Sequence, residues 1–223
     1  MFEGDYETHV TISCDERELA DLSAWSAAGG MKLTHVVLAR GRVRSQPMLT
    51  LTGSGTLAEQ HSTVMRVAAD LRHAGFTVTR LKIEAAPWTR GVPQTDAEAR
   101  ALGQKLYFEH HLKLLLRSAD AAADAAELTH LAELVEPHRA HLSWNARRVR
   151  DDGRAERFVT QRCFGVGDPS AAKALADLRA ALVADGREIV SVEREFVVYD
   201  SDASLDDGWI VEGEGGSHGD DER

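Results

Sequence analysis

The sequence predicts an α+β fold of two ferredoxin-like βαββαβ repeats with antiparallel sheets, related by a pseudo-twofold axis. The first observation is a pattern that occurs twice, in residues 6–12 (YETHVTI) and 108–114 (FEHHLKL). In each copy an aromatic residue precedes a glutamate, a histidine follows two residues later, and apolar residues alternate. The second observation is that the same order of extended and helical patterns follows each copy. The third is the length of 223 residues, which suffices for two modules of about 100.

The first repeat shows the complete order of elements. Alternating apolar residues predict strands, whereas Leu19, Leu22 and Trp25 lie at the spacing of one helix face. Asp15 is placed to cap that helix, and Gly29 and Gly30 end it. The predicted order is strand Tyr6–Ser13, helix Asp15–Ala28, strand Lys32–Ala39, strand Pro47–Thr52, helix Leu57–Ala74 and strand Phe76–Ala85.

The second repeat has the same order after a connector that contains Pro87 and Pro93. Its predicted elements are strand Tyr107–Leu116, helix Ala119–Leu134, strand Ala140–Val149, strand Arg157–Phe164, helix Ser170–Ala184 and strand Glu188–Tyr199. The domain organisation predicted is a first module 1–86, a connector 87–105, a second module 106–200 and a tail 201–223. The tail is acidic and rich in glycine, so we expect it to be largely disordered.

Four pairs of residues support an internal duplication. His9 precedes His111 by 102 residues and His35 precedes His141 by 106, whereas the two remaining pairs are 111 apart. These last pairs are Gly75 with Gly186, and Glu84 with Glu195. Offsets that rise along the chain are expected when the second copy carries short loop insertions.

The composition excludes several classes of function. A net charge of -10 argues against nucleic acid as a partner. No apolar run reaches the ~18–20 residues of a membrane span, and the N-terminus lacks a signal pattern, so we expect a cytoplasmic protein without a membrane partner. Cys14 and Cys163 lie in different modules and form no C-x-x-C motif, which is typical of buried thiols.

The alternation of side chains between the two faces of a strand, here called parity, predicts which polar residues share one face of each sheet. In a ferredoxin-like module the helices cover one face of the sheet and leave the other open. Because side chains alternate, apolar residues that face the helices place their polar neighbours on the open face. In the first repeat these are Glu7, His9, Thr11, His35, Arg80, Lys82 and Glu84. In the second they are Glu109, His111, Lys113, His141, Ser143, Asn145, Ser191, Glu193 and Glu195.

Two open faces packed together would enclose a cleft that binds a small-molecule ligand. Three arrangements would satisfy its charged groups: a divalent metal, acid–base pairs, or ion pairs in a non-catalytic interaction module. The candidate catalytic residues are His9, His111, Glu7 and Glu109. The candidate ligand-binding residues are His35, His141, Lys82, Lys113 and Arg80, and the candidate metal ligands are His9, Glu84, His111 and Glu195. The cofactor is unknown, with a divalent metal as one candidate, and a homodimer is compatible with the sequence.

Two known enzyme families share short motifs with this chain. The segments His9-Val10-Thr11-Ile12 and His141-Leu142-Ser143-Trp144 resemble the paired H-x-[ST]-x motifs of the 2H phosphoesterase superfamily. That resemblance implies phosphodiester hydrolysis with His9 and His141 as acid and base. Histidine on the first strand and glutamate on the last strand of each half also resemble the metal ligands of the vicinal oxygen chelate family.

The most extensive resemblance is to a family of uncharacterised bacterial proteins with two related modules. The segments that carry it are Phe108–Lys113 (FEHHLK), Arg80–Glu84 (RLKIE), Gln46–Met48 (QPM), and Tyr199–Ser201 (YDS) with Leu205–Trp209 (LDDGW). The resemblance spans most of the chain, but that family has no settled function, so it implies no reaction.

Overall fold

The fold is known from a computed structural model, which describes residues 1–117, 121–147, 152 and 154–209. The first repeat consists of β1 (Glu3–Ser13), α1 (Glu16–Ala28), β2 (Lys32–Leu38), β3 (Ser45–Thr56), α2 (Leu57–His73) and β4 (Thr77–Ala85). The short helix α3 (Asp96–Leu102) lies in the connector. The second repeat consists of β5 (Tyr107–Arg117), α4 (Ala121–Val135), β6 (Ala140–Asn145), β7 (Arg154–Phe164), α5 (Asp168–Ala184) and β8 (Glu188–Asp200). The predicted pair of βαββαβ repeats is therefore confirmed.

The two sheets join into one closed antiparallel barrel. Its strand order is β1-β3-β2-β6-β7-β5-β8-β4. Each repeat contributes four adjacent strands, and the repeats meet where β2 pairs with β6 and β4 pairs with β8. The open faces of the two sheets thus become the interior of the barrel.

Local sequence signals position the helices. The Asp15 carboxylate accepts hydrogen bonds from backbone N–H groups of the first turn of α1, while the Glu18 carboxylate accepts one from the Asp15 N–H. Thr56 and Glu59 form the same reciprocal capping box at the start of α2. Such boxes satisfy N–H groups that have no partner within the helix. Among the described residues, no helix is both long and apolar enough to cross a membrane.

Two apolar cores lie between the helices and the outer wall of the barrel. The first contains Leu22, Leu49 and Leu71, and the second contains Leu112, Leu131 and Leu178, all with 0% exposure. Because the helices cover the outside of the wall, the apolar surface of each repeat is buried there. The interior can therefore carry polar side chains.

The tail closes one end of the barrel. After β8 the chain forms a short 3₁₀ helix, Ala203–Asp206, and the carboxylate of Asp206 accepts hydrogen bonds from interior side chains. The Trp209 indole donates a hydrogen bond of 3.0 Å to the Leu142 carbonyl. The expectation of disorder is therefore wrong for residues 201–209, because these contacts anchor them. Residues 210–223 lie outside the described part of the chain.

The predicted orientation of β2 is wrong. His35 pairs across the sheet with Pro47 on the outside, where its Nε2 lies 2.8 Å from the Ser45 hydroxyl. Val36 and Leu38 instead line the interior. The parity argument failed here because it assumed that apolar residues face the helices, whereas this sector of the interior is itself apolar. His35 and His141 are consequently not equivalent positions of the two repeats.

We predict that the docked tail stabilises the barrel through Trp209. Trp209 is 5% exposed, so Trp209→Ala should lower the free energy of unfolding by about 3–5 kcal/mol. Urea unfolding followed by circular dichroism measures this change. Trp88→Ala is the matched control, because Trp88 is 78% exposed and its loss should cost no more than about 0.5 kcal/mol. Equal effects of the two substitutions would contradict the assignment of the tail as a structural plug.

Candidate functional site

The interior of the barrel holds a cavity of about 220 Å³. Both repeats line it, because alternate residues of each strand point inward. The charged residues on its lining are Glu7, His9, Lys32, Arg80, Lys82, Glu109, His111, Lys113, Glu156, Arg162, Glu193, Glu195 and Asp206. The predicted cleft between two open sheet faces corresponds to this cavity.

The exposure of the charged side chains differs between the two ends of the cavity. Near the docked tail, the side chains of Glu109 and Arg162 are 2% and 7% exposed. The side chain of His111 is 23% exposed and that of Glu7 is 38% exposed. The tail end is therefore a sealed ionic network, and the histidine level is reached from the opposite end.

The sealed end is a continuous set of ion pairs. Asp206 bridges the guanidinium groups of Arg80 and Arg162 at 2.8 and 2.7 Å. Glu109 in turn binds Arg162 at 2.5 Å and the Lys82 ammonium at 2.6 Å. Although burial opposes ionisation, Arg162 and Lys82 hold the pKa of Glu109 well below its usual range. Each buried charge in this network thus has a partner of opposite sign, as burial requires.

His9 belongs to the first of two imidazole–carboxylate pairs. Its Nε2 lies 2.9 Å from a Glu84 carboxylate oxygen, and its Nδ1 lies 3.1 Å from the Thr50 hydroxyl. Burial favours the neutral imidazole, but the charge and hydrogen bond of Glu84 outweigh it and raise the pKa of His9. The Glu7 carboxylate lies 3.5 Å from the same Nε2 at the open side.

His111 forms the equivalent pair in the second repeat. Its Nε2 lies 3.4 Å from Glu195 and 3.2 Å from Glu109, and its Nδ1 lies 3.0 Å from the Thr160 hydroxyl. Burial lowers the pKa of His111, but the hydrogen bonds and charges of the two carboxylates prevail and raise it to about 10. The Thr160 hydroxyl thus contacts the Nδ1 of His111 as the Thr50 hydroxyl contacts the Nδ1 of His9.

The pKa values of the equivalent glutamates of the two repeats, Glu84 and Glu195, are shifted in opposite directions. Burial raises the pKa of Glu84, but the Lys82 ammonium and His9 outweigh that effect and hold it well below its usual range. Burial and the neighbouring charge of Glu84 raise the pKa of Glu195, and His111 only partly offsets them. Glu84 is therefore a fixed anion, whereas Glu195 is the carboxyl group of the pair that more readily takes up a proton.

The same groups offer donors for a divalent cation. Ligand atoms of Glu84, His111 and Glu195 lie within 4.8 Å of one another, and His9 borders Glu84. Imidazole and carboxylate donors suit Zn²⁺, Mn²⁺ or Ni²⁺. However, the Lys82 ammonium already lies 2.5 Å from Glu84, so a metal would have to compete with it.

His141 lies apart from this cluster, at the sealed end. Its Nδ1 is 3.2 Å from an Arg40 guanidinium nitrogen, and its ring centroid is 6.1 Å from that of Trp209. Burial and the charges of Arg40 and Arg162 lower the pKa of His141 to about 4. It does not line the cavity, whereas His9 does. The arrangement therefore gives no geometric support to a phosphodiesterase that uses His9 and His141 together.

Several residues of the site were missed by sequence reasoning. Arg162 and Asp206 complete the network around Glu109, and Thr50 and Thr160 orient the two imidazoles. Parity was not applied to β3 and β7. Applied there, it would have placed Thr50, Thr160 and Arg162 inside the barrel. No local pattern marks Asp206, because it reaches the interior only when the tail docks.

A lateral opening leads towards the imidazole level. The last paired residues of β4 and β8 are Ala85 and Phe196, so residues 188–195 of β8 extend beyond this pairing. A surface cavity of about 700 Å³ lies there, with the exposed Trp88 on its rim. Glu7, Glu193 and Glu195 line both this opening and the interior cavity. Glu195 thus borders both the interior cavity and this surface opening.

Comparisons with solved structures identify distant likenesses. No family model matches the chain, and no curated protein matches it. The acetolactate synthase small subunit of Thermotoga maritima is 10% identical, with a TM-score of 0.31, over 88% of this chain and 95% of that one. Chlorite dismutase of Candidatus Nitrospira defluvii, in complex with imidazole, is 12% identical, with a TM-score of 0.32, over 88% of this chain and 92% of that one. Likenesses this low carry no argument about the site.

We predict that protonated His111 makes stability depend on pH. Because the folded protein raises the pKa of His111 from 6.5 to about 10, its stabilisation is complete below pH 6.5 and is lost as the pH rises towards 10. The free energy of unfolding should therefore fall between these values, by up to about 1.4 kcal/mol per pH unit from this group.

Urea unfolding in the presence of a chelator, at pH values from about 6.5 to 9.5, measures the effect in the wild type and in His111→Gln. Glu109, Glu193, Glu195 and His9 line the same part of the cavity, and they remain in both proteins. The slope of stability against pH should be less negative in the variant. Parallel slopes would show that His111 is not held in its protonated form.

Proposed function

We propose that the protein is an enzyme that binds a small molecule inside the barrel and transfers a proton to or from it. The observation that supports this most strongly is the pair of His–Glu contacts beside one cavity, His9 with Glu84 and His111 with Glu195. His9, His111 and Glu195 line the cavity, whereas the buried Glu84 lies behind His9. Each pair comes from a different repeat. Paired imidazole and carboxylate groups at hydrogen-bonding range are the usual components of general acid–base catalysis.

The environments of the four groups suggest distinct roles. Glu195 is the proposed base, because it borders both the cavity and the lateral opening and lacks the lysine partner that Glu84 has. The imidazolium of His111, 3.4 Å from Glu195, is the proposed hydrogen-bond donor to an oxygen of the substrate. His9 and Glu84 form the second such pair on the neighbouring strands β1 and β4. The sequence placed Glu109 among the catalytic residues, but Lys82 and Arg162 engage both its oxygens, so its proposed role is to position His111.

This arrangement supports abstraction of a proton from carbon next to a carbonyl group. A base removes the proton while a fixed donor stabilises the negative charge that develops on the carbonyl oxygen. Thr160 holds the Nδ1 of His111, so the Nε2–H would be the donor and would turn from Glu109 and Glu195 to the substrate oxygen. Burial of the pair strengthens the interaction relative to the same pair in water.

Deuterium exchange tests the proposal without a known substrate. In D₂O, the wild type should catalyse exchange of the α-hydrogens of at least one member of a panel of small 2-oxo acids, followed by loss of ¹H NMR signal. Glu195→Gln removes the base and should slow that exchange by about 10²–10⁴-fold. Glu133→Gln, on the exposed face of α4, is the matched control and should leave the rate unchanged. Exchange that survives Glu195→Gln, or its absence across the panel, would contradict the proposal.

A divalent-metal site is the second candidate, favoured by the 4.8 Å cluster of Glu84, His111 and Glu195. If a metal binds there, elemental analysis of the purified protein should find it, and added Zn²⁺, Mn²⁺ or Ni²⁺ should raise the melting temperature. Glu84→Gln should abolish both effects, whereas the exposed Glu133→Gln should leave both in place. Protein without metal that shows no thermal shift would exclude this candidate.

A further inference from the structure

We infer that the ligand of the cavity is a small organic anion, a carboxylate or a phosphate monoester, whose charged group is bound by Lys113. The inference deepens the proposed function and rests on it for the location of the reacting group. Lys113 lines the open part of the cavity and is half-buried. Its ammonium group lies 5.4 Å from the centroid of the Phe158 ring.

Lys113 differs from the other buried or half-buried cations of the interior in lacking an anionic partner. Each of these others has a carboxylate within 4.0 Å: Arg80, Lys82, Arg162 and both imidazoles. Lys32 also lines the cavity, but its side chain is exposed to water. Within the described part of the chain, Lys113 has none, although the aromatic face of Phe158 gives partial compensation. A half-buried cation that the protein leaves without a counter-charge is suited to bind an anion from solution.

The position of Lys113 fits a ligand that extends to the proposed base. Lys113 is two residues after His111 on β5 and points to the same face. Two residues along a strand correspond to a backbone separation of about 6.6–6.8 Å, so a small ligand held at Lys113 by one end can extend towards His111 and Glu195. A 2-oxo acid or a phosphorylated carbonyl compound carries a charged group and a reactive carbon within one small molecule of this kind.

Neighbouring groups determine how strong this attraction is. Ser191 pairs with Lys113 across the sheet, and Asn145 also lines the cavity, so neutral hydrogen-bonding groups are available nearby. The lining carboxylates Glu7, Glu156 and Glu193 oppose the attraction. Glu193 is exposed to water, which screens its charge, and Glu7 lies 3.5 Å from the imidazole of His9.

Equilibrium binding of two simple anions tests the inference. Isothermal titration calorimetry with malonate and with inorganic phosphate, at an ionic strength held constant with NaCl, should detect binding of at least one to the wild type. Lys113→Gln should weaken that binding by about tenfold or more, as expected for loss of a charged hydrogen bond. Lys113→Arg keeps the charge and should retain most of the affinity. Binding of only one of the two anions distinguishes the carboxylate from the phosphate class.

Three controls separate the outcomes. Lys173→Gln, on the outer face of α5 where the side chain is 76% exposed, should bind like the wild type. Circular dichroism of Lys113→Gln and Lys113→Arg confirms that both fold. Glu195→Gln should still bind the anion while losing proton exchange, so failure of the proposed reaction is distinguishable from failure of anion binding. Wild-type protein that binds neither anion, or binds methylammonium instead, would overturn the inference, as would equal affinity in Lys113→Gln.

Discussion

The structure depends on the pairing of charges that a closed barrel removes from water. An isolated ionised side chain in an apolar interior costs many kilocalories per mole, so the interior must supply a partner for each charge. Glu109 shows how this is achieved, since Lys82, Arg162 and His111 all contact it. The docked tail belongs to the same network, because Asp206 neutralises Arg80 and Arg162 at the end that it closes. The residues that close this end of the barrel are therefore also residues that balance its interior charges.

The two repeats contribute matching sets of residues to the site, but the surroundings of the two sets differ. Each repeat contributes a histidine from its first strand, a glutamate from its last strand and a threonine that holds the imidazole. Lys82 contacts Glu84, whereas among the described residues Glu195 has an ion pair with His111 and none with a lysine or arginine. One carboxylate is consequently a fixed anion and the other is not, which is the difference that an acid–base mechanism requires.

Sequence reasoning predicted those features that local patterns encode. Alternation and capping signals predicted the βαββαβ order, and parity predicted the shared face on which His9, His111 and Glu195 line the cavity, with Glu84 beside His9. Parity failed for His35, because apolar residues line part of the interior as well as the core. It also could not show that β2–β6 and β4–β8 pairing closes a barrel, since these contacts join residues far apart in sequence. The docking of Asp206 into the interior could not be predicted either, because its partners are also far away in sequence.

The sealed end also explains why the protein can keep reactive groups at the middle of the barrel. Ion pairs fill the half of the interior next to the tail, so the imidazoles are reached from the other half and from the lateral opening. Charges on the sealed side are fixed by partners that the fold itself supplies. Lys113, on the accessible side, lacks such a partner. A solute that enters therefore meets a half-buried cation that has no carboxylate partner among the described residues, in the same cavity as Glu195, whose pKa burial and the charge of Glu84 raise.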